Sequence, residues 1–285
     1  MSEKITTDNM PADVWEGEMG DKWLKYLDQF EGMLSPVGEA LAAASGAREG
    51  ETIIDIGCGG GATSFALARI VGPEGSVTGL DISPRLVGEA QRRAAGMGFG
   101  NVNFVVGDAA RVKIPGPGFD RLFSRFGVMF FADPYAAFTN MHGFIKPGGE
   151  MVFGCWGSPS ENAWVSAIMQ IAAKYVDLPA PVPRAPGPMA FAEPEYVTDI
   201  LEKAGFTDID ITPWRGDQLV GGKGASAEEA ARFIMDALFM GELLADQPDA
   251  IKAAAEAEVL ELLRPHETEA GVKMRCMAWF VKAKA

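Results

Sequence analysis

The stretch Ile53-Ile54-Asp55-Ile56-Gly57-Cys58-Gly59-Gly60-Gly61-Ala62 constrains this chain more than any other part of it. The isoleucine-rich run reads as a buried strand, the glycines as a sharp turn, and the residues from about 62 to 71 as a helix. Glycines let a backbone turn tightly and approach a ligand, and the free N–H groups of the helix start favour electron-rich atoms. Further β-rich runs at 76–82, 101–108, 119–125 and 149–156 alternate with helical runs at 84–97 and 134–145, the last opening on Asp133-Pro134 as N-cap and first helical residue. Five strands alternating with helices imply right-handed βαβ crossovers, hence an α/β fold with a parallel, doubly wound, Rossmann-like sheet.

Helical texture flanks and interrupts this pattern. Trp15, Met19, Trp23, Tyr26, Leu27 and Phe30 recur at mostly three- and four-residue spacing, and Pro36 opens another short helix through Leu41 and Ala44. After Trp156 come a helix around 161–177 and a proline-rich stretch, 178–189. βα organisation resumes at 193–206, with a sixth strand at 208–214, a helical stretch at 226–264 and a final strand at 271–283. The expected organisation is an N-terminal helical lid (1–45), a core (46–157), an insertion (158–190), core again (191–223), a second helical insertion (224–268) and a last core strand (269–285).

Composition narrows the function. With 48% hydrophobic residues the chain can bury a core, while Lys+Arg 25 against Asp+Glu 39 leaves a net charge of −14, which opposes phosphate backbones and anionic lipid surfaces. A nucleic-acid or membrane partner is not expected, and no run approaches about eighteen consecutive apolar residues. Cys58, Cys155 and Cys276 are widely spaced and form no disulfide or zinc pattern, which fits a reducing cytoplasm. No metal is expected, because Asp133 and Asn140 do not make a magnesium ligand set. The oligomeric state stays open.

Acidic residues sharpen the reading of the turn. Asp81 ends the second strand, 24 residues after Gly57, where a carboxylate accepts both hydroxyls of a ribose. That fits NAD as well as S-adenosylmethionine, and Gly57, Gly59 and Ala62 also satisfy G-x-G-x-x-A. Asp108, between Gly107 and Ala109, ends the third strand in position to accept from an adenine amine. Asp55, inside the turn motif, would repel a pyrophosphate but suits an ammonium and a sulfonium. An NAD(P)-dependent oxidoreductase and a non-catalytic S-adenosylmethionine-binding protein remain as alternatives.

These residues resemble the class I S-adenosylmethionine-dependent methyltransferases, and among them small-molecule enzymes of the ubiquinone/menaquinone type. Asp55-Ile-Gly-Cys-Gly resembles their first motif, Leu80-Asp81-Ile-Ser their ribose acid, Gly107-Asp108-Ala109 their adenine contact, Phe119-Asp120 through Ser124-Arg125-Phe126-Gly127 their fourth-strand motif, and Lys146-Pro147-Gly148-Gly149 their turn before strand five. Gly60 departs from the pattern, since many relatives carry Thr or Ser there.

The resemblance implies strand order 3-2-1-4-5-7-6 with the last strand antiparallel, and a cofactor site of Asp55, Gly57, Cys58, Gly59, Gly61, Asp81, Ile82, Gly107, Asp108, Ala109 and Ser124 under a lid carrying Trp15 and Trp23. Loops at the ligand end place Phe126, Met129, Phe130, Phe131, Trp156 and Trp214 around an acceptor pocket roofed by the insertions, which suits a small, largely apolar or aromatic acceptor. Methyl transfer is then an in-line displacement driven by alignment and desolvation, leaving S-adenosylhomocysteine. His266, before the final strand, is the candidate base; His142, at a helix end, is the weaker one.

Overall fold

The computed structural model describes residue 15 and residues 17–116 and 118–285; the remainder of the expected lid, residues 1–14 and Glu16, lies outside the described residues. Helices α1 (Glu18–Lys25) and α2 (Leu27–Ala44) precede β1 (Thr52–Ile56), α3 (Ala62–Val71), β2 (Ser76–Asp81), α4 (Pro84–Met97), β3 (Val102–Val106) and β4 (Phe119–Arg125). Then come α5 (Pro134–His142), β5 (Ile145–Trp156), α6 (Ala163–Ala172), α7 (Pro194–Lys203), β6 (Thr207–Val220), α8 (Ala227–Ala237), α9 (Phe239–Leu243), α10 (Asp249–Leu263), the two-residue β7 (Glu267–Thr268) and β8 (Gly271–Lys284).

The strands form one sheet in the order β3-β2-β1-β4-β5-β8-β6, with β7 paired to β8. Neighbours from β3 to β5 are parallel, while β8 runs antiparallel to both β5 and β6. This is the implied doubly wound order, with β8 as the reversed last strand. Register separates the two faces. Asp55, Phe123, Arg125 and Gly154 share one face, where α2 lies so close that a Cβ on Gly154 would be 3.1 Å from Leu41. Phe153 and Cys155 point to the other, against Phe138 of α5 (rings 5.6 Å apart) and the carbonyl of Phe191.

Three local expectations are corrected. Pro36 does not begin a helix; α2 runs through it. Proline there leaves the Gly32 carbonyl without its usual N–H partner, and the Ser35 hydroxyl donates to that oxygen at 3.0 Å instead. Strand six does not stop at Trp214 but continues to Val220, held residue by residue against β8. The tight turn at Lys146–Gly149 is a bulge inside β5, with Gly148 at φ +78°.

Both inserted regions pack together beyond the end of β5. The Tyr175 hydroxyl donates to Glu258 at 2.7 Å, and Lys174 pairs with the same carboxylate. The first insertion also returns to the loop after β4, where Gly187 N–H donates to the Met129 carbonyl at 3.0 Å. Among the described residues no helix is long and apolar enough to cross a membrane.

Candidate active site

The glycine turn is a run of left-handed residues: Gly57, Gly59 and Gly61 have φ of +66°, +53° and +89°. A side chain on Gly57 is excluded, since its Cβ would lie 2.8 Å from the Gly127 Cα, so the turns after β1 and β4 meet backbone to backbone. Ser124 fastens that meeting: its hydroxyl donates to the Ile56 carbonyl at 2.8 Å and accepts from Gly127 N–H at 3.2 Å. Its hydroxyl is therefore engaged with backbone. At Gly60 a Cβ would meet Leu27 and the Arg93 guanidinium within 3.0 Å, so the space of the family's hydroxyl is filled from α2 and α4.

Asp81 is held by two amides, with Oδ2 accepting from Gly59 N–H at 2.8 Å and Oδ1 from Ser83 N–H at 2.9 Å. Burial pushes its pKa above the ordinary carboxylate value, against the pull of those amides. The neighbouring Ile82 is partly exposed. Gly107 N–H donates to the Asp81 carbonyl at 2.9 Å, which brings the third-strand acid beside the second. Asp108 accepts from Ala110 N–H at 2.9 Å and Ala109 is buried.

Asp55 is fully buried, and its Oδ2 accepts from Thr63 and Ser64, both at 2.7 Å. Its Oδ1 has no partner among the described residues. Burial raises this carboxyl to about 6, although both hydroxyls pull it down. Cys58 turns its thiol inward against Gly79 and Phe104; burial pushes its pKa well up, so only its backbone is available to a ligand. Cys155 pairs with Trp279, not Cys276, across β5 and β8, so those thiols do not meet.

Trp15 and Trp23 lie over the turn. A Cβ on Gly59 would be 3.8 Å from Trp23 Nε1; Trp23 stacks on Phe30 at 4.0 Å, and Trp15 meets Trp23 and Phe130 edge-on at 5.9 and 5.0 Å. The Trp15 Nε1 is buried without a partner among the described residues. Helix α1 is tied outward by Asp21–Arg85 to α4 and by Lys22–Glu242, 2.7 Å, to α9.

The expected acceptor residues do not form one lining. Phe126 and Trp156 are buried and stacked on each other at 4.2 Å, and Met129 is buried, which makes them a floor. Phe130 and Phe131 are partly buried beside Trp15 and Phe138. Trp214 is mid-strand, level with Trp156 through Ala278, and stacked on Phe280 at 5.9 Å. His266 sits on an exposed turn, Arg264–His266, and its side chain makes no hydrogen bond to a described residue. The structure therefore does not bring this candidate base to the glycine turn. His142 packs edge-on against Phe206 at the end of α5, also away from it.

Two groups to which the sequence reading assigns no role of their own are Arg125, named there only within the fourth-strand motif, and Gln218. Gln218 is fully buried, with both amide atoms unpartnered among the described residues, in the part of β6 beyond Trp214. The Gly221-Gly222 pair, which directly follows the strand, is the one mark in the sequence that could have shown where it ends. Arg125 closes β4 after the run Leu122-Phe123-Ser124, and its Nε is buried without a partner among the described residues.

A strand-end turn with a carboxylate oxygen unpartnered among the described residues, left-handed glycines and a preset strand-end acid fits a ligand with a ribose and a cationic amino-acid end. Comparison with known proteins agrees. Residues 47–205, more than half of the chain, match the family described as a methyltransferase domain. The aklanonic acid methyltransferase DauC of Streptomyces sp. (strain C5) is 34% identical over 42% of this chain and 54% of its own length. The nocamycin O-methyltransferase of Saccharothrix syringae is 32% identical over 61% and 65%. The chain thus spans about half to two thirds of the length of these curated relatives. The solved [4+2]-cyclase SpnF shares the fold, with TM-score 0.58 at 18% identity over 97% of both chains. The chain therefore belongs to the methyltransferase-domain family, and S-adenosylmethionine is the cofactor that membership assigns to it.

Proposed function

We propose that the protein transfers a methyl group from S-adenosylmethionine to a small, largely apolar or aromatic acceptor. The observation that carries this reading is Asp81, whose two oxygens are each fixed by one backbone amide at the rim of the glycine turn, leaving lone pairs to accept ribose hydroxyls. Asp55 faces the other end of such a ligand with an unpartnered oxygen. When bound, the sulfonium supplies a methyl carbon open to direct displacement. The chain itself holds the ligand in line and excludes water through Trp15, Trp23 and Phe130 above the turn.

The two inserted regions, 158–190 and 224–268, roof the acceptor side in this reading, and the three buried, unpaired thiols suit a cytoplasmic enzyme. The −14 charge argues against nucleic-acid acceptors. The test is incubation with S-adenosylmethionine and a panel of aromatic and quinone-like acceptors, following S-adenosylhomocysteine and the methylated product by mass spectrometry. Cofactor binding without any product would move the chain toward a non-methylating use of the fold, and binding of NAD in its place would end the reading.

A further inference from the structure

Two arginines stand on the same face of β4, two alternations apart with Phe123 between them, and the fold treats them oppositely. Arg121, near the start of the strand, is fully engaged: it pairs with Glu150 and Glu51 and donates to the Ser45 carbonyl at 2.8 Å. Arg125, at the ligand end, makes no hydrogen bond or ion pair to a described residue, and its Nε is buried. The two carboxylates that face it are engaged elsewhere. Both oxygens of Glu31 accept from Arg93, at 2.7 and 2.8 Å, and Asp55 accepts from Thr63 and Ser64. Helix α2 is nevertheless shaped to admit this side chain, because a Cβ on Gly38 would lie 3.0 Å from Arg125 Cδ and 3.2 Å from Nη1. Phe126 and Trp156, stacked beside it, offer no counter-charge. Burial without a partner pulls its pKa below the ordinary arginine value, a cost that an incoming anion would remove.

We propose that Arg125 is the carboxylate receptor at this end of the sheet, its guanidinium fork waiting for a carboxylate brought by a ligand. Planar, bidentate pairing is the chemistry in which arginine exceeds lysine. The carboxylate has two possible sources, and the reading of methyl transfer supplies both. One is the amino-acid end of the cofactor, which would also bring an ammonium toward the unpartnered Asp55 Oδ1. The other is an acidic acceptor, whose carboxylate would be a nucleophile already ionised and in need of no base.

Calorimetry on the full chain separates the cases. Arg125→Met keeps the apolar stem and removes the fork; circular dichroism checks its fold, and Arg125→Lys serves if it does not fold. If the cofactor is the source, Arg125→Met weakens S-adenosylhomocysteine by roughly 10- to 100-fold and leaves decarboxylated S-adenosylmethionine unchanged. If the acceptor is the source, S-adenosylhomocysteine binds both proteins equally, and the protein saturated with it prefers 1-naphthoate over 1-naphthamide only while Arg125 is present. Equal affinities in both arms overturn the proposal. Absence of S-adenosylhomocysteine binding by the wild-type protein would defeat the functional reading instead, and the naphthoate and naphthamide titrations, run then on the unliganded protein, would still test Arg125.

Discussion

The two halves of the sheet solve different problems. In the half β3-β2-β1-β4 the strands are five to seven residues long and parallel, so every strand-to-helix turn falls on one edge. That edge concentrates polar groups, namely Asp55, Asp81, Asp108 and the glycine turn, nearly all fixed by short local bonds. In the half β5-β8-β6 the strands are 12 to 14 residues long and antiparallel, with no shared edge to respect. Strand β6 rises from Trp214, level with the end of β5, to Val220, and at its end α8 comes so close that a Cβ on Gly221 would lie 2.7 Å from the Ala230 Cα. A parallel half has to present its carboxyl edge, so it is where the proposed cofactor contacts lie. The antiparallel half is free to lengthen, so it is where acceptor preference can vary.

The largest effect is expected at the parallel edge. Asp81→Ala removes the ribose acid and also frees the amides of Gly59 and Ser83, so cofactor affinity should fall about 10- to 100-fold, the worth of a charge-assisted pair. Calorimetry with S-adenosylhomocysteine reads it; an unchanged affinity would dissolve the division between the halves.

Asp55 tests the same edge through stability. Burial raises its folded-state carboxyl from the ordinary 3.8 to about 6, so folding favours the protonated acid. The stability this group contributes is full below about pH 3.8 and is lost as the pH rises through 6. Asp55→Asn keeps an oxygen for Thr63 and Ser64 and cannot ionise. The ligand-free variant should be more stable than wild type at neutral pH by roughly 1–3 kcal/mol, the difference closing in acid, while its cofactor binding weakens. Thermal melts across pH 4 to 8 check both signs. A group that lowers stability yet sits in the turn is what a functional edge predicts.

The parallel half was also the more legible in sequence, because its boundaries are local. Ser83-Pro84 and Asp133-Pro134 cap α4 and α5 with their own side chains, and glycines mark the turn after β1. In the antiparallel half the signals are tertiary. Residues 215–220, with Gly216, Asp217 and Gln218, carry no strand pattern and are extended because β8 pairs with them, which is why Trp214 reads as a loop residue. Pro36 reads as a helix start because nothing in a local rule anticipates the Ser35 hydroxyl taking the Gly32 carbonyl. Arg125 is visible as a charge, but the absence of a partner is a property of the packed molecule.

A smaller effect concerns the piece that joins the halves. Helix α1 bridges α4 through Asp21–Arg85 and the cap through Lys22–Glu242, whereas Leu27 and Phe30 of α2 are buried core. A truncation should therefore end at Tyr26, sparing α2. Removing residues 1–26 should leave a folded protein whose S-adenosylhomocysteine dissociates about tenfold faster, since a lid acts mainly on release. Stopped-flow fluorescence measures the rate, and an unaltered one would make α1 a packing element only.

The smallest effect belongs to the far end of the antiparallel half. A general base must come within hydrogen-bond reach of the proton it takes, directly or through one water. His266 stands on an exposed turn, followed by Glu267, whose carboxylate caps α8 by accepting from Ala227 N–H at 3.0 Å. That contact belongs to the outside of the cap. His266→Gln should therefore change turnover by less than about twofold, where loss of a general base removes roughly 10²–10⁴. It should also leave the pH profile without an altered limb. A loss of a hundredfold or more would mean that the extension of β6 and β8 folds over the acceptor and delivers this side chain, and the two halves would then share the chemistry instead of dividing it.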